Sequence, residues 1–218
     1  RSVIKNVLEF NPEILRRFVN FMSNPDEETA MAQFGKGDKY FGVAIMMVTM
    51  PGLTMFGHGQ IEAYTEKYGM EYRKAYWHEE VDWNHVRRHE VEVFPLMKRR
   101  HLFSGVENFF LFDFYGVDGK VNENVFAYSN RAGEERALVL YHNRHETAKG
   151  WIRISAAASV ESGRAGERIL IQKSLAEALG LNTDGRHFYI FKDYKSGLEY
   201  IRSGRALGEQ GIYVELGA

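Results

Sequence analysis

Apolar positions in the first hundred residues switch between helical spacing and short continuous runs. Residues 39–49 carry one apolar stripe at helical spacing, which predicts a helix. The stripe consists of Tyr40, Val43, Ala44, Met47 and Val48. Apolar runs at 18–22 and 53–56 flank this helix and predict strands. A strand, a crossover helix and a second strand form the βαβ unit of a parallel sheet.

Further helices are predicted on either side of this unit. Asn11 followed by Pro12 is a typical helix start and predicts a short helix over 14–17. A longer helix is predicted over 84–101, and Pro95 within it should kink or divide it, because proline donates no backbone hydrogen bond. Residues 1–101 therefore form an α/β segment in this interpretation.

The pattern changes near residue 102. Short stretches rich in β-branched and aromatic residues, separated by turn residues, predict strands at 108–115, 125–129, 136–141 and 151–155. Their regular spacing favours an antiparallel sandwich or a small barrel. The Gly-rich stretch 155–166 is predicted to be a loop. We expect a second, all-β region over 102–218.

Composition narrows the classes of function. The 218 residues carry a formal net charge of -1, which gives no electrostatic case for nucleic acid or an anionic membrane as the partner. The sequence has no cysteine, which excludes disulfides and thiolate metal sites and favours, weakly, a reducing cytoplasmic compartment. The longest apolar stretch, 43–56, is too short and too interrupted to span a bilayer.

A polar turn follows the first predicted strand, where residues 21–26 read Phe-Met-Ser-Asn-Pro-Asp. The α-amylase family of glycoside hydrolases carries a Phe-x-x-Asn-His-Asp motif at the carboxyl end of the seventh strand of its (β/α)8 barrel. The segment resembles this motif at Phe21, Asn24 and Asp26. Residues 50–62, which read Met-Pro-Gly-Leu-Thr-Met-Phe-Gly-His-Gly-Gln-Ile-Glu, resemble the eighth strand of the family.

The likeness extends along the chain. The predicted helix at 84–101 resembles the last helix of the family's barrel, and residues 125–130 and 137–143 resemble the strands that open its C-terminal β domain. The resemblance thus implies the last strands and helices of a (β/α)8 barrel over 1–101. It also implies an antiparallel, sandwich-like β domain over 102–218.

The resemblance also implies roles for individual residues. Active sites of such barrels lie at the carboxyl ends of the strands. Retaining glycosidases use one carboxylate as nucleophile and one carboxylic acid as proton donor. The family adds a third carboxylate that binds sugar hydroxyls and favours the oxocarbenium-like transition state. Asp26 matches this third residue, and Asn24 of the same motif is a candidate for substrate binding.

Three more candidates for substrate binding follow the second predicted strand. His58 lies between two glycines, where a closely approaching backbone lets its ring reach a ligand. Gln60 and Glu62 are candidates for the same cleft mouth. A surface-loop role for His58 and a structural ion pair for Glu62 stay open as alternatives.

The nucleophile and the acid belong to the family's fourth and fifth strands, which nothing in this chain matches. We therefore expect one part of a retaining α-glucan-active enzyme, inactive by itself. Its partners would be an α-glucan or oligosaccharide substrate and the N-terminal barrel portion of its own full-length chain. No cofactor is expected in this segment. A calcium requirement of the complete enzyme stays open, because the family's calcium ligands lie mostly upstream.

Two alternatives remain at this point. Pro25 replaces the family's usual histidine, and maltosyl-transferring members of the superfamily can carry Pro-Asp there, so hydrolysis and glycosyl transfer are both open. The chain could also be a non-catalytic carbohydrate-binding or interaction module, since 24–26 is by itself an ordinary turn signal. A free-standing module must bury its strands at 18–22 and 53–56. A barrel portion should leave them exposed on one side.

A metal site is not predicted. His85 and His89 have the four-residue spacing that places two imidazoles on one helix face, but the Glu-bearing zinc motif is absent. The intervening Arg87 and Arg88 would repel a divalent cation.

Overall fold

The computed structural model describes residues 1–164 and 166–217, which divide into two compact units. One unit is Arg17–Ser104, and the other combines Arg1–Arg16 with Gly105–Ala218. The division at 104 lies close to the change of pattern near 102. Residues 1–16 pack with the β-rich unit. The sequence pattern had placed them in the α/β segment.

The helices and strands of the chain are short. Up to residue 104 they are α1 (Ser2–Phe10), a 3₁₀ helix (Pro12–Arg17), β1 (Val19–Asn20), α2 (Ala30–Phe34), α3 (Asp38–Thr49), β2 (Leu53–Thr54), α4 (Trp83–Arg88), a π-helical turn (His89–Val93), α5 (Phe94–Met97) and α6 (Arg100–Phe103). Beyond it they are β3 (Phe110–Gly116), β4 (Val125–Ala132), β5 (Glu135–His142), β6 (Ala148–Ser155), β7 (Ala158–Glu161), β8 (Arg168–Ile171), α7 (Leu175–Leu179), β9 (Phe188–Lys192), β10 (Glu199–Ser203), α8 (Gly204–Gln210) and β11 (Ile212–Leu216).

The predicted βαβ unit is confirmed. Strands β1 and β2 pair in parallel, with Val19 opposite Leu53, and α3 is the crossover helix between them. Each strand is only two residues long, shorter than the predicted 18–22 and 53–56, because each has a single partner in the described structure. Val19 is 44% exposed and Leu53 is 64% exposed.

One arginine joins the end of α3 to the start of β2. The Arg100 guanidinium donates to the carbonyl oxygens of Val48 at 2.6 Å and Met50 at 3.1 Å, and also to that of Gly52. Carbonyls in the last turn of a helix have no intrahelical donor, and a cation there also interacts favourably with the helix dipole. Arg100 therefore stabilises the turn that sends the chain from the crossover helix into the second strand.

The predicted helix over 84–101 is divided, as Pro95 indicates. Residues 83–88 are α-helical, a π-helical turn follows, and α5 begins at Phe94 directly before the proline. A π-helical turn is one of the ways in which a helix accommodates a missing backbone donor. Side chains from α3 and from this divided helix form the core of the unit, including Tyr40, Phe41 and Val93.

The β-rich unit is built on a five-stranded antiparallel sheet with the order β11-β6-β3-β4-β5. The hairpins β7–β8 and β9–β10 are separate two-stranded sheets. The four strands predicted after residue 102 are all present. The prediction of a loop over 155–166 was wrong, because its residues 158–161 pair with β8 as β7. Residue 165 of that segment lies outside the described residues.

Ion pairs connect the N-terminal segment to the β-rich unit. The Arg1 side chain is buried, and its guanidinium forms ion pairs with Asp113 of β3 and, at 3.1 Å, with Glu123. Lys5 lies 2.6 Å from the same Asp113 carboxylate. These long-range ion pairs carry no periodic signal in the sequence.

Among the described residues, no helix combines the length and the apolar character needed to cross a bilayer.

We predict that Gly150→Ala destabilises the β-rich unit by about 2–3 kcal/mol, a typical cost of overpacking. A Cβ at Gly150 would lie 2.1 Å from the Tyr115 carbonyl oxygen of the adjacent strand, and backbone in a paired strand cannot move aside cheaply. Urea denaturation should show the loss. Gly185→Ala is the control, because a Cβ there meets no atom within 4 Å. Equal destabilisation by both variants would contradict the prediction.

Candidate functional site

The turn after β1 is held by Asn24. Its side-chain Oδ1 accepts hydrogen bonds from the backbone N–H groups of Asp26 and Glu27, both at 2.9 Å. This Asx turn commits the amide oxygen of Asn24 to the backbone. Asp26 is exposed, and its backbone carbonyl accepts a hydrogen bond from Lys67 Nζ at 3.0 Å. Among the described residues none hydrogen-bonds the Asp26 carboxylate.

A second turn follows β2, and parallel pairing places it beside the first. The Gly57 N–H donates to Gln60 Oε1 at 3.0 Å, and the Gln60 N–H donates to the Gly57 carbonyl at 3.2 Å. A Cβ at Gly57 would come within 2.3 Å of Ser23 Oγ in the neighbouring turn. The Ser23 carbonyl oxygen would lie at 3.1 Å, so a larger residue at position 57 would require the Ser23 hydroxyl to rotate away and the backbone to shift slightly.

Gln60 and Glu62 differ from His58 in their placement. Gln60 is 2% exposed. Its side-chain amide donates to the sulfur of Met22 at 3.4 Å, and its backbone carbonyl accepts from the Tyr40 hydroxyl at 3.3 Å. It therefore closes the turn from inside. Glu62 is half-buried, and its carbonyl accepts the Asp82 N–H at 3.1 Å. His58 is exposed between its two glycines.

The two turns enclose a cavity of about 230 Å³. It is lined by Ser23, Asn24, Pro25, Glu27, Thr29, Met55, Phe56, Gly57, His58, Glu66, Lys67 and Tyr68. Of the five residues proposed from the sequence, Asn24 and His58 lie on this wall. Asp26, Gln60 and Glu62 do not line it, and the ligand-binding role of all five stays a prediction.

The chain was compared with known proteins. No protein-family model matches it, and a search of curated proteins finds no match. Among solved structures it is similar to a noncanonic maltogenic α-amylase, AmyB from Thermotoga neapolitana, with a TM-score of 0.55 and 14% sequence identity. The fold resembles that of part of an α-amylase. The match covers 91% of this chain but only 39% of the amylase chain.

Glu66 is a wall residue that the sequence analysis missed. It is 2% exposed. One carboxyl oxygen accepts the Tyr76 N–H at 2.8 Å, and the other has no hydrogen-bond partner among the described residues. The acid lies in an irregular polar loop, so no periodicity marks it as buried.

A second carboxylate, Glu79, holds Glu66 in place. Its oxygens accept hydrogen bonds from the Thr65 N–H and hydroxyl, both at 2.7 Å, and from the Glu66 N–H at 2.8 Å. Burial disfavours the charged form of Glu79, but these hydrogen bonds outweigh it and lower its pKa. Two carboxyl groups thus connect the segments 65–66 and 76–79. Glu79 binds backbone N–H groups of the first segment, and Glu66 binds the Tyr76 N–H of the second.

Aromatic rings continue the wall outward. The rings of His58 and Tyr68 are 4.1 Å apart between centroids and edge-to-face, and Tyr68 packs on Tyr72 at 4.3 Å in the same way. Such contacts fix ring orientation and contribute about 0.5–1.5 kcal/mol each beyond area burial. The contact with Tyr68 therefore fixes the orientation of the His58 ring at the cavity wall.

The two histidines spaced four apart are core residues. His89 is fully buried, with Nε2 2.9 Å from the Tyr40 hydroxyl and Nδ1 3.1 Å from the His85 carbonyl. His85 is 3% exposed, and neither of its ring nitrogens has a partner among the described residues. Burial raises the pKa of Tyr40 and lowers that of His89. In the described part of the chain, no three His, Cys, Asp or Glu side chains cluster as metal ligands would.

We predict that Glu79→Ala loosens the loop at the cavity. The Thr65 and Glu66 N–H groups would lose a charged acceptor, and each such hydrogen bond contributes about 1.5–3 kcal/mol. Amide hydrogen exchange at these two positions should accelerate at least tenfold. Glu80→Ala, which removes an adjacent exposed carboxylate, should leave the rates unchanged. Unaltered amide exchange in the Glu79 variant would show that the Glu79 carboxylate does not stabilise the loop at Thr65 and Glu66.

Acid should destabilise the unit formed by residues 17–104 through His85. Burial and the neighbouring His89 lower the His85 pKa from 6.5 to about 4. The unfolded chain therefore takes up the proton first, so stability is complete above pH 6.5 and is lost as the pH falls towards 4. We expect His85→Phe to raise the free energy of unfolding by about 2 kcal/mol more at pH 5 than at pH 7.5. Thermal melts at both values test this, with exposed His78→Phe as control; equal shifts at the two values would refute it.

Proposed function

We propose that this chain is part of a retaining α-glucan-active glycoside hydrolase of the α-amylase type. In this proposal it contributes the last strands of the (β/α)8 barrel and the C-terminal, sandwich-like β domain. The observation that carries the proposal is the parallel β1–α3–β2 unit, which sets the Asp26 turn and the Gly57–Gln60 turn side by side at the carboxyl ends of two strands. Active sites of (β/α)8 barrels lie at that edge.

The exposure of the parallel strands supports a barrel portion over a free-standing module. Parallel sheets are normally covered on both faces. Here Val19 and Leu53 are exposed, and neither strand has a further partner among the described residues. Additional strands from the N-terminal part of the same full-length protein would cover them.

Asp26 would act on the bound sugar without forming a bond to it. Its carboxylate is exposed at the strand end, while Asn24 and Lys67 hold the surrounding backbone. There it would accept hydrogen bonds from sugar hydroxyls that strengthen as the ring flattens towards the oxocarbenium-like transition state. The nucleophile and the proton donor would come from the remainder of the barrel, so the 218-residue chain alone should not cleave glycosides.

Glycosyl transfer is the second candidate, and Pro25 favours it. The proline lies on the cavity wall where the family usually has histidine. Product analysis with maltotriose distinguishes the two reactions. Release of glucose and maltose only indicates hydrolysis, whereas products longer than the substrate indicate transfer.

In the full-length protein we predict that Asp26→Asn lowers kcat on maltooligosaccharides by about 100–1000-fold. Transition-state hydrogen bonds of this kind contribute several kcal/mol, and each 1.36 kcal/mol is tenfold in rate. Circular dichroism should show unchanged folding. Glu28→Gln, an exposed carboxylate on the same turn, is the matched control and should keep its activity. Near-normal turnover by the Asn variant would remove Asp26 from the mechanism.

A further inference from the structure

The buried carboxyl group of Glu66 has one oxygen that no described residue hydrogen-bonds. Glu66 is 2% exposed, and its Oε2 has no partner among the described residues. Burying a polar atom without a hydrogen bond costs free energy, and native proteins rarely leave one unsatisfied. Several other buried side chains also have a polar atom without a partner in the described structure, but of these residues Glu66 is the one that lines this cavity.

The carboxyl group is fixed, and among residues 1–164 and 166–217 no Lys, Arg or His forms an ion pair with it. Tyr76 N–H holds its other oxygen at 2.8 Å, and Glu79 holds its backbone N–H at 2.8 Å. Lys67 is the next residue, but its ammonium group turns to the Asp26 carbonyl at 3.0 Å and lies 3.9 Å from Glu28. One acceptor of this fixed, cavity-lining residue is therefore not used by a hydrogen bond to any described residue.

The rest of the wall indicates which ligand would use it. Apolar and aromatic groups are supplied by Met55, Phe56 and the edge-to-face pair of His58 and Tyr68. A cavity of about 230 Å³ is smaller than the ~300–1,000 Å³ typical of drug-sized ligands, and so takes one ring and not a chain. A neutral ring that carries hydroxyl groups meets both requirements.

We propose that Glu66 is a sugar-binding residue. It accepts a hydrogen bond from a hydroxyl of a single terminal glucose unit, which occupies the cavity between the two turns. The inference rests on the proposed α-glucan activity and adds to it a contact away from the reacting bond. Such a contact binds the ground state and the transition state equally. Glu66 therefore affects KM, whereas Asp26 affects kcat.

The test compares steady-state kinetics of full-length variants on maltotriose. Glu66→Gln keeps an acceptor for the Tyr76 N–H but replaces the bare oxygen with an NH₂ donor. It should raise KM at least tenfold and leave kcat within threefold of wild type. Glu71→Gln, an exposed carboxylate in the same loop, should change neither. An unchanged KM in an active Glu66→Gln enzyme overturns the inference, as does a loss confined to kcat.

A second variant and the wild type separate the remaining outcomes. If Glu66→Gln melts well below wild type, Tyr68→Leu tests the site instead, because it removes the aromatic ring and leaves the Glu66 carboxyl group in place. A tenfold higher KM of the Tyr68→Leu enzyme supports the sugar site, and an unchanged KM overturns it. Wild-type protein that does not act on any α-glucan overturns the proposed function itself. Active wild type with unaffected variants overturns only the sugar-binding role of Glu66.

Discussion

The candidate site depends on the parallel pairing of two very short strands. Pairing of β1 with β2 aligns their carboxyl ends, so the turns that follow them become neighbours. Gly57 then approaches Ser23 so closely that a Cβ would lie 2.3 Å from the hydroxyl oxygen. Arg100 stabilises the arrangement by binding the carbonyls where α3 leads into β2. The cavity exists because these backbone constraints hold two polar turns face to face.

Polar groups at this edge divide between support and recognition. Some polar side chains bind backbone N–H groups of the turns and the loop and so support the site: Asn24, Gln60 and Glu79. Asp26 is exposed, and one oxygen of Glu66 has no partner in the part of the chain that the structure describes, so both can accept a hydrogen bond from a ligand. A rigid support around a few uncommitted acceptors is the arrangement that recognition of hydroxyl groups requires.

The likeness to part of an α-amylase is a likeness of fold. At 14% identity it concerns the fold alone and assigns no role to individual residues. The chain spans 39% of that amylase, so the chemistry of the whole enzyme remains a proposal for this protein. The carboxylates that would attack and protonate a glycosidic bond have no counterpart among the motifs of this chain.

Periodicity and turn chemistry by themselves determined the βαβ unit, the division of a helix at Pro95, the change to antiparallel strands near residue 102 and the turn at Asn24. These features depend on neighbouring residues, whose spacing is visible in the chain. Only the tertiary structure decided that Gln60 is buried support, that Glu66 lines a cavity, and that Arg1 joins the first helix to Asp113. Such contacts connect polar residues far apart or in irregular loops, where the spacing of apolar residues carries no information about burial.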